Sequence, residues 1–276
     1  MTTPTADSIP GSDFVPRTAV VTGGDSGIGR AVAVALAGGG LDVGVTWNRD
    51  REGAEATVEE IRALGCSGFS AHMDLTDLPG APFAVDSLAS ELGGIDVLVN
   101  CSGTGTATSF LDLDFDSWRT VLSVDVDGAF LCGQHAARLM VEQGHGGRIV
   151  TVTSVHEHLP KVGAAPYCAA KAGLGGLTQV MAIELAQYGI TVNSVAPGEI
   201  STPMTGQTDE NPESNPRPGV PLGRTGDARE IASVVAFLAG PTSSYMTGAS
   251  LVVDGGMALM GPQAVQFVKD DAWRSV

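Results

Sequence analysis

Positive charge is scarce in this chain. Only 15 Lys and Arg stand against 31 Asp and Glu, a formal net charge of −16 over 276 residues. A nucleic-acid groove needs the opposite balance, so nucleic acid is excluded as a partner. The same charge favours solubility and modestly repels anionic substrates, but it chooses no fold. Long hydrophobic runs are missing too, since no apolar stretch nears the ~18 residues of a membrane span. Residues 1–16 lack both a basic n-region and an apolar core, and read as a flexible arm rather than a signal peptide. The expected compartment is the cytoplasm. Cysteine is sparse: Cys66, Cys101, Cys132 and Cys168 lie far apart inside predicted elements, with no C-x-x-C and no Cys/His cluster. That spacing supplies neither a metal ligand set nor a disulfide framework, and leaves buried thiols as the reading.

What is present is the composition of a soluble globule, 43% hydrophobic and 17% charged, near the upper length for one α/β domain. Strand-like apolar runs fall at 18–22, 42–46, 68–72, 96–100, 148–154, 191–196 and 250–254. Helical periodicity marks 30–37, 50–64, 116–142, 166–187 and 227–238. Continuous apolar strands separated by helices predict an α/β fold with a parallel sheet covered on both faces. No internal repeat or second domain is visible, and residues 17–276 read as one domain. Residues 203–223 break the alternation. They are dense in Pro, Gly, Asn and acid, which disfavours regular structure. A long irregular segment in a compact domain is often a functional cover over a site, the alternative being a plain surface insertion.

Two motifs propose chemistry. Tyr167 and Lys171 form Y-x-x-x-K within Pro166-Tyr167-Cys168-Ala169-Ala170-Lys171. Helix positions i and i+4 share a face, so phenol and ammonium point into one space. A free tyrosine, with a pKa near ~10, is protonated at neutral pH. A neighbouring cation favours the phenolate and brings its proton into exchange with a substrate alcohol or carbonyl. Ser154, ending the run that starts at Arg148, is placed to hold the substrate oxygen. Alone, the pair also reads as a half-buried tyrosine with a solvated lysine one turn on. The second motif, Gly23-Gly24-Asp25-Ser26-Gly27-Ile28-Gly29, lies between the run 18–22 and the periodic segment 30–37. Strand, glycine turn and helix make a phosphate-binding unit. Glycines let the backbone approach a pyrophosphate, and the helix N-terminus offers unpaired N–H groups. With Thr22 its spacing is T-G-x-x-x-G-x-G, not the commoner G-x-G-x-x-G.

With these motifs the chain resembles the short-chain dehydrogenase/reductase family from about Thr18 to Gly256, in the manner of bacterial glucose 1-dehydrogenases and 3-oxoacyl-carrier-protein reductases. Thr22 to Gly29 matches the family's cofactor glycine motif, and Asp74-Leu75 the acidic position that meets adenine. Asn100-Cys101-Ser102-Gly103 is a variant of its N-N-A-G segment. Pro197-Gly198-Glu199-Ile200-Ser201-Thr202 matches the P-G-x-x-x-T turn that holds the nicotinamide carboxamide, and Asp254-Gly255-Gly256 closes the last strand. The resemblance implies a single-domain Rossmann-like fold with a doubly wound parallel sheet of about seven strands. It implies a homodimer or homotetramer paired through the long helices at 116–142 and 166–187. It also implies hydride transfer between a nicotinamide and a small carbonyl or secondary alcohol. Tyr167 would be general acid or base, Lys171 would lower its pKa and bind the nicotinamide ribose, and Ser154 would orient the oxygen. Implied cofactor contacts are Gly23, Asp25, Ser26, Gly27, Ile28, Gly29, Asn48, Arg49, Asp74, Leu75, Asn100, Ser102, Gly103, Tyr167, Lys171, Pro197, Gly198, Ile200 and Thr202.

The departures are informative. Family members choosing NAD usually carry Asp at the end of the second strand. Here Trp47 takes that place, followed by Asn48 and Arg49. No carboxylate there repels a 2′-phosphate, and Arg49 can pair with one, so NADP(H) is favoured. NAD(H) stays open, because Asp50 is adjacent and Arg49 also reads as a solvated loop residue. Asp125 replaces the family's usual Asn, whose main-chain carbonyl holds a water linking the catalytic lysine to solvent. Any residue supplies a carbonyl, but a carboxylate near Lys171 would offset its field. His156 and Glu157, just after Ser154, and Met204, opening the irregular segment, are the substrate candidates. The His and Glu could equally pair with the protein's own loops. A reading from another class, a nicotinamide-binding regulator without turnover, rests on Asp125 alone, and the intact Ser154, Tyr167 and Lys171 weigh against it. A nucleotide-sugar epimerase or dehydratase would need a C-terminal lobe for which the residues are lacking. The fold by itself names no substrate.

Overall fold

The structure, a computed structural model, describes residues 13–207, 212 and 216–261. The apolar runs become strands β1 (Thr18–Val21), β2 (Asp42–Trp47), β3 (Gly68–His72), β4 (Val97–Asn100), β5 (Gly147–Val152), β6 (Ile190–Pro197) and β7 (Ser250–Val253). They form one sheet in the order β3-β2-β1-β4-β5-β6-β7, with every pair parallel. Parallel neighbours need crossovers, and these are supplied by α1 (Gly27–Gly38), α2 (Arg51–Ala63), α3 (Phe83–Leu92), α4 (Phe115–Leu122), α5 (Gly128–Gln143), α6 (Ala165–Leu185) and α7 (Ala228–Ala239). Helix α3 has no counterpart among the segments read from periodicity, because its ten residues barely display a stripe.

Alternate residues of each strand enter opposite cores. Val21, Val45, Val99 and Val150 pack with Val32 and Leu36 of α1 and with Ile231 and Leu238 of α7. Val20, Leu98, Ile149 and Val192 pack with Leu88 of α3, Met140 of α5 and Ala182 of α6. Burying such a leucine or isoleucine side chain contributes ~1.5–3 kcal/mol. The strands are therefore apolar on both faces, as a doubly wound sheet requires.

Strand order reverses between β1 and β4, and the crevice beyond the carboxyl ends of such strands is where ligands of open α/β sheets bind. The segment expected as one helix over 116–142 is interrupted. Helix α4, capped by Asp114 through the Ser117 amide at 2.7 Å, runs into a π-helical turn at Ser123–Asp127 before α5 begins. The wider turn inserts an extra residue, and Asp125 ends up buried. Of the arm expected at 1–16, only 13–16 are described, and the Phe14 ring lies 4.1 Å from the guanidinium carbon of Arg148. The rest of that arm, the middle of the irregular segment and the tail beyond residue 261 lie outside the described residues. No helix among the described residues is long and apolar enough to cross a membrane.

Candidate active site

A cleft of about 470 Å³ opens beyond the carboxyl ends of β1, β2, β4, β5 and β6. Its floor is the glycine turn. Gly23 and Gly27 hold φ of +65° and +52°, values that favour glycine. A Cβ at Gly29 would overlap the Gly23 carbonyl oxygen, and one at Gly24 would stand 2.6 Å from Val45 Cβ. The Ser26 side chain makes no capping bond, so no side chain covers the first-turn amides of α1, and Gly27, Ile28 and Gly29 line the cleft. A close backbone approach and an uncapped helix N-terminus are what a pyrophosphate requires, so the residues present fit a dinucleotide. Thr22 fastens this turn to the neighbouring loop, its hydroxyl accepting the Cys101 and Ser102 amides at 3.0 Å each.

At the other end stand Ser154, Tyr167 and Lys171. Ser154 follows β5, and its Oγ accepts the His156 amide at 3.1 Å. Tyr167 and Lys171 sit on the first two turns of α6, with Lys171 Nζ 5.2 Å from the phenol ring centroid. The Tyr167 hydroxyl has no hydrogen-bond partner among the described residues. Lys171 is buried, and its Nζ lies 3.1 Å from Asp125 Oδ2. Asp125 Oδ1 accepts the Thr104 amide at 2.7 Å, and a Cβ at Gly103 would stand 3.3 Å from Lys171 Nζ. The aspartate in place of the family's Asn is thus a carboxylate in direct contact with the lysine. Burial pulls the Lys171 ammonium down, but the charges of Asp125 and Tyr167 outweigh it and hold Lys171 above the ordinary lysine value. Burial pushes the Asp125 carboxyl up, against the opposing pull of Lys171. Cys101, on the same wall, is pushed up to about 12 by burial, which keeps its thiol protonated at neutral pH.

The cleft gathers the predicted glycine-turn residues together with Asn48, Arg49, Leu75, Ser102, Gly103, Pro197, Gly198, Ile200, Thr202 and Met204. Besides Asp125, which stands behind Lys171, four predicted residues lie outside its wall. Asp74 turns back on Thr76, accepting its amide at 2.9 Å and its hydroxyl at 2.8 Å; these bonds hold the carboxyl below its usual range. Asn100 donates to the Ala129 carbonyl at 3.3 Å. Glu157 accepts from Thr153 Oγ1 at 2.7 Å and Ser250 Oγ at 3.2 Å, and its carboxylate occupies the space a Cβ on Gly175 would need. It is spent inside the protein rather than offered to a substrate. His156 packs against Tyr167 at 6.2 Å between ring centroids, and its Nδ1 donates to the Leu159 carbonyl at 2.9 Å. Thr76 and Thr104 line the cleft without belonging to a motif; only their places just after Asp74-Leu75 and Ser102-Gly103 signal them. Among the described residues no cluster of His, Cys, Asp and Glu is placed to hold a metal.

Residues 23–258 match a family model described as enoyl-(acyl carrier protein) reductase. A 3-oxoacyl-[acyl-carrier-protein] reductase of Staphylococcus aureus is 38% identical over 87% of this chain and 98% of its own. The chain belongs to the short-chain dehydrogenase/reductase family. Like other members it is an oxidoreductase of CH–OH and C=O groups that uses a nicotinamide dinucleotide. Among its relatives in the family is the uncharacterized oxidoreductase YohF of Escherichia coli, 50% identical over 90% of this chain and 98% of that one. The crystal structure of acetoin dehydrogenase from Enterobacter cloacae superposes with a TM-score of 0.85, is 50% identical, and covers 91% of this chain and 99% of its own.

Proposed function

We propose that this enzyme interconverts small ketones and secondary alcohols with NADP(H), and that its substrates are hydroxyketones and vicinal diketones. The observation that carries the reading is the meeting of Ser154, Tyr167 and Lys171 in one cleft with the glycine turn. The dinucleotide, when bound, supplies or accepts the hydride. Gly23 to Gly29 would hold its pyrophosphate and Pro197 to Thr202 its carboxamide. Ser154 uses a lone pair for the His156 amide, which leaves its proton free to bond the substrate oxygen. The Tyr167 phenol gives its proton to that oxygen in reduction and takes it back in oxidation. Lys171 supplies the positive charge that stabilises the phenol's conjugate base. The substrate class follows from the likeness to an acetoin dehydrogenase, and an uncharged substrate suits a protein of net charge −16.

Arg49 supports the choice of NADP(H). It lines the cleft where β2 ends, while the neighbouring Asp50 carboxylate is committed to capping α2 through the Gly53 amide at 2.8 Å. Dinucleotide oxidation with a panel of diacetyl, acetoin, sugars and quinones should give turnover on the first two, with NADPH preferred over NADH. Binding without turnover on any member would defeat the proposal. Arg49→Ala should cut the NADPH:NADH ratio of kcat/KM about tenfold or more, the value of a charge-assisted contact. An unchanged ratio would remove Arg49 from the phosphate site.

We further propose a homodimer or homotetramer, supported by exposed Phe115 and Phe130 on α4 and α5 and Val180 and Ile183 on α6. Light scattering at micromolar concentration should show a multiple of the 28.1 kDa chain; a monomer there would end that proposal.

A further inference from the structure

Glu199 lies in the turn after β6, yet its side chain points away from the cleft wall and gathers two other segments. One oxygen, Oε1, accepts from Gln207 Nε2 at 3.0 Å and from Arg217 Nε at 2.8 Å. Gln207 stands just past the wall residues Thr202, Pro203, Met204 and Thr205, and Arg217 stands on the returning arm of the irregular segment. The backbone is fastened at the same place. The Glu199 carbonyl accepts the Gly226 amide at 2.9 Å, and the Ser201 amide donates to the Gly226 carbonyl at 2.9 Å. Gln207 is held at both ends of its amide, Nε2 by Glu199 and Oε1 by the Ser201 hydroxyl at 3.4 Å. Its backbone N–H adds a bond to the Thr202 carbonyl at 3.1 Å. The wall so fixed already meets the glycine turn, because a Cβ on Gly27 would stand 3.4 Å from Thr202 Cβ.

We infer that Glu199 is a positioning residue whose carboxylate sets how closely the Thr202–Thr205 wall approaches the glycine turn. It thereby sets affinity for dinucleotide and substrate without touching either. Two donors converge on one oxygen, which a carboxylate tolerates through its two lone pairs and its charge. Glutamine keeps an acceptor there without the charge, and alanine keeps neither, so the two variants form a graded series. The inference rests on the reading of the cleft as the dinucleotide and substrate site.

The test uses the full chain with Glu199→Ala and Glu199→Gln. NADPH binding is read from the change in tryptophan fluorescence, Trp47 being the tryptophan that lines the cleft, with KM and kcat in the assay above. Glu199→Ala should raise Kd and KM about tenfold, the size of one charge-assisted hydrogen bond, with a smaller change in kcat. Glu199→Gln should fall between. Amide exchange across 201–207, measured without nucleotide, should quicken in Glu199→Ala. That arm speaks to the clamp even if the wild type were to bind no nicotinamide dinucleotide, an outcome that would instead defeat the reading of the cleft. Wild-type Kd, KM and exchange in the alanine variant would overturn the inference, as would a loss confined to kcat. Should the alanine variant not fold, wild-type Kd and KM in Glu199→Gln would overturn it, and an intermediate weakening would support it.

Discussion

Replacing Tyr167 by Phe should all but abolish turnover, lowering kcat ~10²–10⁴-fold, the usual contribution of a positioned acid or base. Nucleotide affinity and thermal stability should stay near wild type. The structure explains the separation. The phenol hydroxyl bonds to no described residue and opens onto the cleft, so its removal orphans no buried partner. The ring stays to pack against His156 and Lys171. Steady-state kinetics, nucleotide titration and thermal melting on the same preparation check this. A variant that keeps the wild-type rate would remove Tyr167 from the chemistry, and one that unfolds would make it structural.

Replacing Lys171 by Met should do more damage, because it harms the site and the fold together. Asp125 is fully buried, and Lys171 is the cation that meets it. Removing one member of a buried pair leaves an uncompensated charge and costs about 3–5 kcal/mol, on the order of 10 °C in Tm for a chain of this size. The double variant Lys171→Met with Asp125→Asn should recover much of that stability and none of the activity, since Asn keeps an acceptor for the Thr104 amide without the charge. Failure of the second substitution to restore Tm would show that the pair does not hold the fold.

The same pair sets a pH dependence. Because Lys171 is held above its ordinary value, its contribution to stability is fully present below the unfolded lysine pKa. It is lost only as pH rises through the higher folded value, so Lys171 keeps its charge at neutral pH. On the proposed mechanism, a charged Asp125 would oppose the field of Lys171 on the phenol. The optimum for alcohol oxidation should therefore be alkaline, and Asp125→Asn alone should move the alkaline limb of kcat/KM to lower pH. Superimposable limbs would reduce Asp125 to a tolerated replacement.

The glycine turn, the strand runs and Y-x-x-x-K were legible because each depends on local rules: positive φ at glycine, a period of two or 3.6, and a helical face shared by i and i+4. Those rules placed all the strands within a residue or two and brought Tyr167 and Lys171 to one wall. The sequence also exposed Asp125 as a departure, but not the direction its side chain takes. That was decided by a π-helical turn inside what periodicity marks as one helix, since a single inserted residue rotates every side chain after it. Glu157 shows the opposite case. Adjacency to Ser154 suggested a substrate contact, while the missing side chain at Gly175, distant in sequence, opened the space that draws its carboxylate into the protein. Likewise nothing local in Glu199, Gln207 and Arg217 announces that one carboxylate holds two arms of the chain. The sequence by itself determined the sheet, the glycine turn and the shared helical face of Tyr167 and Lys171, because short-range periodicity and steric rules specify them. Only the tertiary structure decided which carboxylates face the lysine, the wall and the core, because that depends on contacts between residues far apart along the chain.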